Sequence, residues 1–395
     1  MHPRSSAIDV AFVAAHLLTP TLFSGGDVLF ANIAREMAQS RPDWRIAVIA
    51  PEYACNGLAP FFRTVVPLPS HTGEEGAVRD PFDVALRWGW RMRACARAAR
   101  LLAPRLLHAT GDFFVDVLPA AWAARRLGAR LTGVVHHLNA PPQRRRNDFI
   151  VASGSWLLQG VSLGVLRARA DHVFLLNDDT RRALRSRGFR ATQLVVGGAG
   201  IDLAKFPLAP DPGSHGRVLW VHRLEPTKGV FDLPRLAALL PSTARIDVVG
   251  RGPRAWRERL QTELQRAGVV DRVILHDYVD EGMLVQLYAA ARVFVSCSYE
   301  EGWGISLAEA LATGVPCVAY ALPSHAEIFG DAVTTVPVGD VGALARQITQ
   351  LLQTPDGPEA RLRRRAVVEP YSFRALAERQ VAVLAPLLDG ERRTS

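Results

Sequence analysis

The chain has 395 residues, of which 49% are hydrophobic and 22% charged, as in ordinary folded proteins. This composition excludes wholesale disorder and collagen-like repeats, and the length predicts two to three domains. The formal net charge of +9 suits nucleotide phosphates, nucleic acid and an anionic membrane face about equally, so charge alone selects none of them.

Short apolar runs alternate with amphipathic stretches of helical length, such as residues 28–39 and 284–291. Within each run the apolar residues are mostly consecutive, which is typical of strands buried on both faces of a parallel sheet. Parallel strands need crossovers, so the alternation predicts doubly wound α/β sheets. The twelve predicted strands are residues 8–14, 45–50, 64–68, 106–110, 131–136, 172–176, 218–222, 245–249, 273–276, 293–296, 317–319 and 333–336.

A stretch rich in Pro, Gly and Asp (FPLAPDPGSHGR, residues 206–217) divides these strands into two sets of six and is typical of a linker. We therefore predict two Rossmann-like domains, residues 1–207 and 208–369, that face each other across a cleft. Ligands of open α/β sheets bind beyond the carboxyl ends of the strands, so the cleft is the predicted site.

The four cysteines are scattered, without metal-ligand spacing, and are predicted to be buried free thiols in a reducing compartment. No signal-peptide pattern opens the chain. The longest uncharged stretch, residues 150–166, is too short and too mixed for a spanning helix. These features favour a cytoplasmic protein. The cysteines are Cys55, Cys95, Cys297 and Cys317.

The loop after the first strand of the second half reads W-V-H-R-L-E-P-T-K-G-V and contains Arg223 and Lys228. Lys228 is one of only two lysines among 47 basic residues, the other being Lys205. Two cations beside a helix N-terminus form an anion site, most simply for a diphosphate. The next strand closes with V-G-R-G-P, whose Gly250 and Gly252 allow a backbone to approach a nucleotide closely, although a tight turn alone would also explain them.

The strongest motif is S-Y-E-E-G-W-G-I-S-L-A-E-A-L-A-T-G-V-P, residues 298–316. A strand ends, a glycine-flanked turn containing Glu301 follows, and a helix is predicted to begin near Ile305. An acidic group at a strand end can hydrogen-bond sugar hydroxyls, and the glycines let backbone N–H groups approach a phosphate or hexose. Glu309 lies in an otherwise apolar helix, so it needs a polar partner, such as a ribose diol.

The run E-G-W-G-I-S-L-A-E resembles the E-x7-E motif of family 4 retaining glycosyltransferases, which have the GT-B fold. The R-L-x-x-x-K-G loop and the V-G-x-G-P turn resemble that family's diphosphate- and nucleotide-binding elements. The resemblance is specific over residues 217–338 and looser in the first domain, at residues 24–26 and 134–139. Residues 370–388 are similar to the family's C-terminal helix, which crosses back, so residues 370–395 are assigned to the first domain.

The resemblance implies roles for individual residues. Glu309 would bind the ribose, Glu301 the hydroxyls of the donor sugar, and Arg223 and Lys228 the diphosphate. The glycines of the first domain would approach the diphosphate, and one of two adjacent histidines would lie near the transferred sugar, without the sequence deciding which. The implied catalytic residues are Glu301, His136, His137, Arg223 and Lys228. The implied donor-binding residues are Gly25, Gly26, Arg223, Lys228, Gly250, Gly252, Tyr278, Val279, Glu301, Gly302, Trp303, Gly304, Ile305 and Glu309.

Three positions depart from the family pattern. Trp303 stands where phenylalanine is commoner, which bears on the donor pocket. Ala199 stands where asparagine is usual, and Asp27 stands where the family often places a residue that reaches the acceptor. The last two departures bear on the identity of the acceptor.

The chain contains no D-x-D motif, through which metal-dependent transferases usually neutralise the leaving diphosphate. We therefore expect no metal and no cofactor other than the nucleotide sugar as co-substrate. Arg223 and Lys228 would stabilise the charge on the leaving group. Retention, implied by the family, is explained by front-face attack in which the leaving phosphate takes the acceptor's proton. The family also favours UDP over GDP as the donor nucleotide.

Other functions remain open at this stage. A nucleotide-sugar 2-epimerase of the same fold would need no acceptor, and a phosphorylase would usually need pyridoxal phosphate on a lysine, for which Lys205 is poorly placed. A non-catalytic nucleotide-binding scaffold would tolerate loss of the motif residues, yet all four charged ones are present. Nucleic-acid binding is disfavoured because the arginines are dispersed and follow no recognised motif.

The acceptor is either a small molecule or a lipid or saccharide, and the sequence indicates no oligomeric state. An arginine run, residues 144–146, precedes the apolar stretch 150–166. That arrangement predicts either a basic loop beside an ordinary core helix or a peripheral contact with the inner membrane face.

Overall fold

The computed structural model describes residues 8–17, 25–69, 81–139, 141–144, 149–210, 216–276, 279–354 and 356–389. The chain forms two compact units. The first contains the residues up to Gly200 together with those from Phe373 onwards, and the second contains Ile201–Ser372. The boundary predicted from the linker was between residues 207 and 208.

The first unit is a parallel sheet with helices between its strands. The order of its strands is β3-β2-β1-β4-β5-β6-β7, and every pairing is parallel. The strands are β1 (Val10–Val13), β2 (Ile46–Pro51), β3 (Thr64–Leu68), β4 (Leu106–Ala109), β5 (Arg130–Val135), β6 (His172–Leu175) and β7 (Leu194–Val196). The helices are α1 (Gly25–Ser40), α2 (Cys55–Leu58), α3 (Pro81–Leu102), α4 (Phe114–Leu127), α5 (Phe149–Arg169) and α6 (Asp178–Ser186).

The second unit repeats this architecture with six parallel strands in the order β10-β9-β8-β11-β12-β13. The strands are β8 (Arg217–Val221), β9 (Arg245–Val249), β10 (Val273–His276), β11 (Val293–Ser296), β12 (Cys317–Tyr320) and β13 (Val333–Val336). The helices are α7 (Leu233–Leu239), α8 (Arg254–Arg266), α9 (Glu281–Ala290), α10 (Ile305–Ala312), α11 (Pro323–Phe329), α12 (Val341–Gln353) and α13 (Pro358–Val368).

Two doubly wound α/β units are thus confirmed, but the strand count is not. Among the described residues there are thirteen strands, seven in the first sheet and six in the second. The sequence missed β7, because three residues at the edge of a sheet bury too little surface to produce a distinct apolar run. The first two strands of each unit are buried along almost their whole length, as their continuous apolar runs predict. They are β1 and β2 in the first unit and β8 and β9 in the second.

The last helix, α14 (Phe373–Asp389), belongs to the first unit, where it packs against α1. This confirms the return of the C-terminal helix to the first domain. All four cysteines are free thiols, as expected, although Cys55 is half-buried rather than buried. Among the described helices, none is both long enough and apolar enough to cross a bilayer.

Candidate active site

The loop after β8 carries Lys228 and is held in place by a glycine. Gly229 has φ +69°, and a Cβ there would overlap the carbonyl oxygen of Cys297, just after β11. Only glycine fits that backbone conformation and that approach. The backbone N–H of Tyr299 also donates to the carbonyl of Thr227 at 2.8 Å. The lysine loop is therefore fixed against the chain that leads into the acidic turn.

Lys228 and Glu301 form a largely buried ion pair. The Nζ of Lys228 lies 2.8 Å from Oε2 of Glu301 and 3.0 Å from the carbonyl oxygen of Glu300, and the two charged side chains are only 14% and 17% exposed. Burial acts to raise the pKa of Glu301, but the Lys228 ammonium outweighs it and holds the pKa at about 2. Because an ammonium has three donors, one remains for a ligand.

Arg223, the second predicted cation, is exposed. Its guanidinium is 71% exposed and lies 3.1 Å from Oε1 of Glu225, which also accepts from the hydroxyl of Thr227. The sequence predicted that these two cations form an anion site, whereas the structure gives each of them a carboxylate partner. The side chains of this loop alone therefore do not make a strongly positive site.

The glycines of V-G-R-G-P allow two loops to lie side by side. A Cβ at Gly250 would overlap the carbonyl oxygen of His222, and one at Gly252 would overlap that of Leu224. Two backbone bonds join the loops, from the N–H of His222 to the carbonyl of Val249 and from Leu224 to Arg251. The structure thus gives these glycines a packing role, and a contact with a nucleotide base stays a prediction.

The turn from Glu301 leads directly into α10, which begins at Ile305 as predicted. No side chain caps its N-terminus, at Gly304, so the first N–H groups of α10 remain available to an anion. Gly302 is partly exposed beside them, but Trp303 is not: its ring is 2% exposed and packs edge-on against Phe329 and Tyr371. The departure at Trp303 is therefore accommodated in the core.

Glu309 finds its polar partner inside the protein. The hydroxyl of the fully buried Tyr288, on α9, donates to Oε2 of Glu309 at 2.7 Å. Burial raises the pKa of Glu309 to about 7, because the hydrogen bond from Tyr288 offsets only part of the cost of burying the charge. The carboxylate remains partly exposed, so a second acceptor position is open to a ligand hydroxyl.

Two histidines that were assigned no role lie beside the Lys228–Glu301 pair. Burial, with Lys228 nearby, lowers the pKa of His222 to about 3, and its ring lies 3.5 Å from the hydroxyl of Ser306 on α10. His325 is fully buried, donates from Nδ1 to the carbonyl of Tyr320, and has its pKa lowered by burial. His222 lies within the W-V-H-R-L-E-P-T-K-G-V motif that carries Lys228, whereas no sequence motif indicated His325.

In the first unit, His136 lies against the start of α1. A Cβ at Gly26 would lie 3.0 Å from the ring of His136, whose Nε2 donates to the carbonyl oxygen of Thr110 at 3.0 Å. Burial lowers the pKa of His136. Gly25 and the neighbouring His137 are exposed. The structure therefore brings together Gly26 and His136, at the carboxyl end of the first sheet.

The first unit also buries a charged cluster that the sequence did not reveal. The ring of His16, just after β1, contacts two carboxylates. Its Nδ1 lies 2.6 Å from Oδ2 of Asp116, and its Nε2 lies 3.1 Å from Oδ1 of Asp27. It stacks on Phe113 at 4.5 Å. Burial acts to lower the pKa of His16, but the two carboxylates raise it to about 10. Asp27 is thus bound within the unit, whereas its position in the sequence had linked it to the acceptor.

Some predicted residues lie outside the described part of the chain. They are Tyr278, Ser24 of the S-G-G motif, and Arg145 and Arg146 of the arginine run, while the side chain of Arg144 is also not described. Val279 is described and partly exposed. Within the described residues, no three or more His, Cys, Asp or Glu side chains are grouped as a metal site would require.

The sequence of the second unit matches a known family. The family described as glycosyl transferases group 1 matches residues 210–367. O-antigen chain mannosyltransferase B of Escherichia coli is 35% identical over 141 residues, which is 35% of this chain and 37% of that protein. D-inositol 3-phosphate glycosyltransferase of Mycobacterium leprae is 28% identical over 322 residues, 75% of this chain and 74% of that protein.

Solved structures match both units together. Sucrose-phosphate synthase from Thermosynechococcus elongatus has a TM-score of 0.79 at 19% identity, over 97% of this chain and 100% of that one. HepE from Anabaena, solved in complex with UDP and glucose, has a TM-score of 0.76 at 17% identity, over 96% of this chain and 100% of that one. At these identities the likeness shows the fold.

Proposed function

Because the chain is a glycosyltransferase of the GT-B fold, similar to those of family 4, we propose that it transfers a hexose-type sugar from a nucleoside diphosphate sugar to a hydroxyl group. The observation that carries this proposal is the Lys228–Glu301 pair beside the uncapped N-terminus of α10. Both lie at the carboxyl ends of neighbouring strands, where open α/β sheets bind their ligands.

The second unit offers different groups to the different parts of such a donor. The N–H groups of α10 and the remaining donor of Lys228 would hold the diphosphate, with the exposed Arg223 reaching its outer oxygens. Glu309, partly exposed behind them, would accept from the ribose hydroxyls. UDP is the favoured nucleotide, and HepE, of the same fold, is bound to UDP in its structure.

The charges fit the departure of a diphosphate. Negative charge grows on the leaving oxygens in the transition state, and Lys228 is fixed beforehand by its bonds to Glu301 and Glu300, so it need not reorganise. With its pKa at about 2, Glu301 is ionised at every physiological pH and is suited to accept hydrogen bonds from the donor sugar. It positions the sugar and is not a general acid.

We further propose that the reaction retains the anomeric configuration and needs no metal. Lys228, Arg223 and the helix N-terminus would supply the positive potential that a divalent ion supplies elsewhere. The leaving phosphate would take the acceptor's proton as the acceptor attacks from the same face. The acceptor is a hydroxyl of a small molecule, a saccharide or a lipid-linked sugar.

A thermal-shift panel tests this proposal, with UDP, GDP, ADP, CMP and UDP- and GDP-sugars, each with and without EDTA. A ligand at about 100 times its dissociation constant adds about 2.7 kcal/mol of stability. We expect one nucleoside diphosphate to raise the melting temperature, with EDTA present, in the native protein. The shift should be lost in Lys228→Met and Glu309→Gln.

Arg363→Gln is the matched control, because Arg363 is an exposed cation of the second unit paired with Glu359 on α13. It should keep the full shift. A shift that EDTA abolishes and a divalent ion restores would overturn metal independence. No shift with any nucleotide would overturn the proposed donor. Inversion at C2 of the donor without transfer would identify a nucleotide-sugar 2-epimerase instead.

A further inference from the structure

Three helices of the first unit expose an unusual number of large apolar side chains. Among the described residues, sixteen large hydrophobic side chains are exposed, and seven of them lie on α3, α4 and α5. Four of these seven are aromatic. The three helices are neighbours, with α3 packed on α4 and α4 on α5, and exposed apolar groups concentrated on neighbouring helices mark a contact surface more often than a surface facing only water. They are Trp90, Leu101, Trp122, Phe149, Trp156, Leu157 and Val161.

Among the side chains of these three helices that the structure describes, several arginines are exposed and no acid is. Residues 88–102, 114–127 and 149–169 contain one carboxylate, that of Asp116, which is fully buried against His16. Seven exposed arginines on these helices have no ion pair with any carboxylate among the described residues. Five of them line one groove, and the other two are Arg126 and Arg167. The five are Arg93, Arg97, Arg100, Arg125 and Arg169.

Several exposed arginines on other helices are paired with an acid of the same helix. On α6, Arg181 and Arg182 pair with the aspartates three residues earlier, and on α14 Arg374 pairs with Glu378. The helices α8 and α13 show the same i,i+4 pairing. Four other helices each also expose one arginine that has no ion pair among the described residues, namely Arg185, Arg235, Arg266 and Arg346. What distinguishes α3, α4 and α5 is that seven such arginines lie on three helices whose described side chains include no exposed carboxylate.

Five of these seven arginines line a groove of about 1060 Å³ to which all three helices contribute. Its apolar part includes Met92, Leu118, Trp122 and Val165. Two arginines, Arg100 and Arg126, lie over the ring of Trp122 at 5.8 and 5.5 Å. An apolar floor with a cationic rim and a tryptophan between them matches the depth profile of a phospholipid interface.

We propose that α3, α4 and α5 form a docking face for an anionic phospholipid bilayer. The arginines contact lipid phosphates, while Trp122 in the groove and the exposed Trp156 on α5 enter the headgroup region with their apolar neighbours. Charge complementarity selects this partner, since a surface with seven unpaired cations and no exposed carboxylate among its described side chains is attracted to a negative surface. It also disfavours a second copy of the same face, which would be repelled.

Flotation of the full chain on vesicles tests the proposal without any nucleotide, so its outcome is independent of the proposed activity. The vesicles contain phosphatidylcholine alone or with about a third of phosphatidylglycerol, whose charge gives a surface potential in the range of natural anionic membranes. We expect binding to the anionic vesicles at low salt, none to the neutral ones, and a loss at about 0.5 M salt, where the Debye length is only a few ångströms.

The triple variant Arg93→Gln, Arg97→Gln, Arg100→Gln should bind about a hundredfold more weakly, since each basic side chain near an anionic surface contributes about a factor of five. The matched control removes the same charge from the same unit, in Arg181→Gln, Arg182→Gln, Arg374→Gln, and should bind within about threefold of the native protein. The double variant Trp122→Ala, Trp156→Ala should weaken binding while leaving its salt dependence in place.

Circular dichroism confirms that each variant folds before flotation. Equal losses in the two triple variants would overturn the proposal, because they would show that net charge alone attracts the protein. Binding of the native protein to neutral vesicles as strongly as to anionic ones would also overturn it. So would a dimer, seen by sedimentation velocity, that the α3 substitutions dissociate, since the face would then be an interface between copies.

Discussion

Each unit buries a charged cluster just beyond its sheet, and the two clusters are built differently. In the second unit the permanent cation Lys228 meets one carboxylate, that of Glu301. In the first unit the titratable cation His16 is shared by two carboxylates, those of Asp27 and Asp116. Lys228 keeps a donor for a ligand, whereas both ring nitrogens of His16 are occupied.

The difference predicts opposite responses to pH. The folded pKa of Glu301 lies below its unfolded value of 4.5, so the pair stabilises the protein above pH 4.5 and loses this contribution as the pH falls towards 2. The folded pKa of His16 lies above its unfolded value of 6.5, so its contribution is complete below pH 6.5 and is lost as the pH rises through 10. The Lys228–Glu301 cluster therefore loses its contribution to stability in acid, and the His16 cluster loses its contribution in base.

The largest effect is expected from Lys228→Met. It leaves the carboxylate of Glu301 buried without its cation, which costs about 3–5 kcal/mol of unfolding free energy at neutral pH. If the proposed function holds, turnover of the donor also falls about 100- to 1000-fold, as for other fixed groups that stabilise a developing charge. Urea unfolding between pH 2 and 7 measures the first effect, and the difference from the native protein should vanish towards pH 2.

The double variant Lys228→Met, Glu301→Gln distinguishes the loss of a partner from the loss of packing. It should recover most of the lost stability while remaining inactive, because the buried charge is gone but the site is not restored. If the double variant is as unstable as Lys228→Met, the buried carboxylate is not the cause.

His16→Gln should destabilise the first unit by about 3–5 kcal/mol at pH 6, since it leaves two buried carboxylates without a cation. The difference in unfolding free energy between variant and native protein should shrink as the pH rises from 6.5 through 10. A difference that stays constant over this range would show that His16 acts through shape alone. NMR titration of the native His16 ring gives an independent check.

Glu309→Gln should increase stability above pH 7 and decrease nucleotide binding. Since the folded pKa of Glu309 is about 7, against 4.5 when unfolded, its ionisation costs stability as the pH rises from 4.5 to 7. The gain in the variant should grow from nearly zero at pH 4.5 to at most about 3 kcal/mol above pH 7. Glu258→Gln, in the exposed pair with Arg254, is the control and should show no such trend.

The smallest effect concerns Gly26→Ala. In a helix this change normally adds up to about 1 kcal/mol of stability. Here the new Cβ meets the ring of His136, which its bond to Thr110 holds in place, so we expect no gain or a small loss. Gly160→Ala, on α5 with open space around it, should show the full gain. Equal gains in both variants, by thermal unfolding, would mean that the His136 ring moves freely.

The features that the sequence predicts are those whose interacting residues lie close together along the chain. Strands such as β9 and β11 were predicted with their observed bounds, because a strand buried on both faces is a local apolar run. Residues 223–229 and 301–309 stand out because their chemistry is concentrated in short motifs. The sequence did not reveal contacts between distant residues. Tyr288 reaches Glu309 from another helix, and the partner of His16, Asp116, lies 100 residues away from it.

Hydrogen–deuterium exchange of the full chain, with and without UDP or GDP, locates the site of donor binding. We expect one of the two nucleotides to slow exchange in the backbone around Arg223, Lys228 and Glu301 and in the first turn of α10. We expect no such protection in Lys228→Met. Protection confined to the first unit, or none with either nucleotide at saturating concentration, would contradict the assignment of donor binding to the second unit.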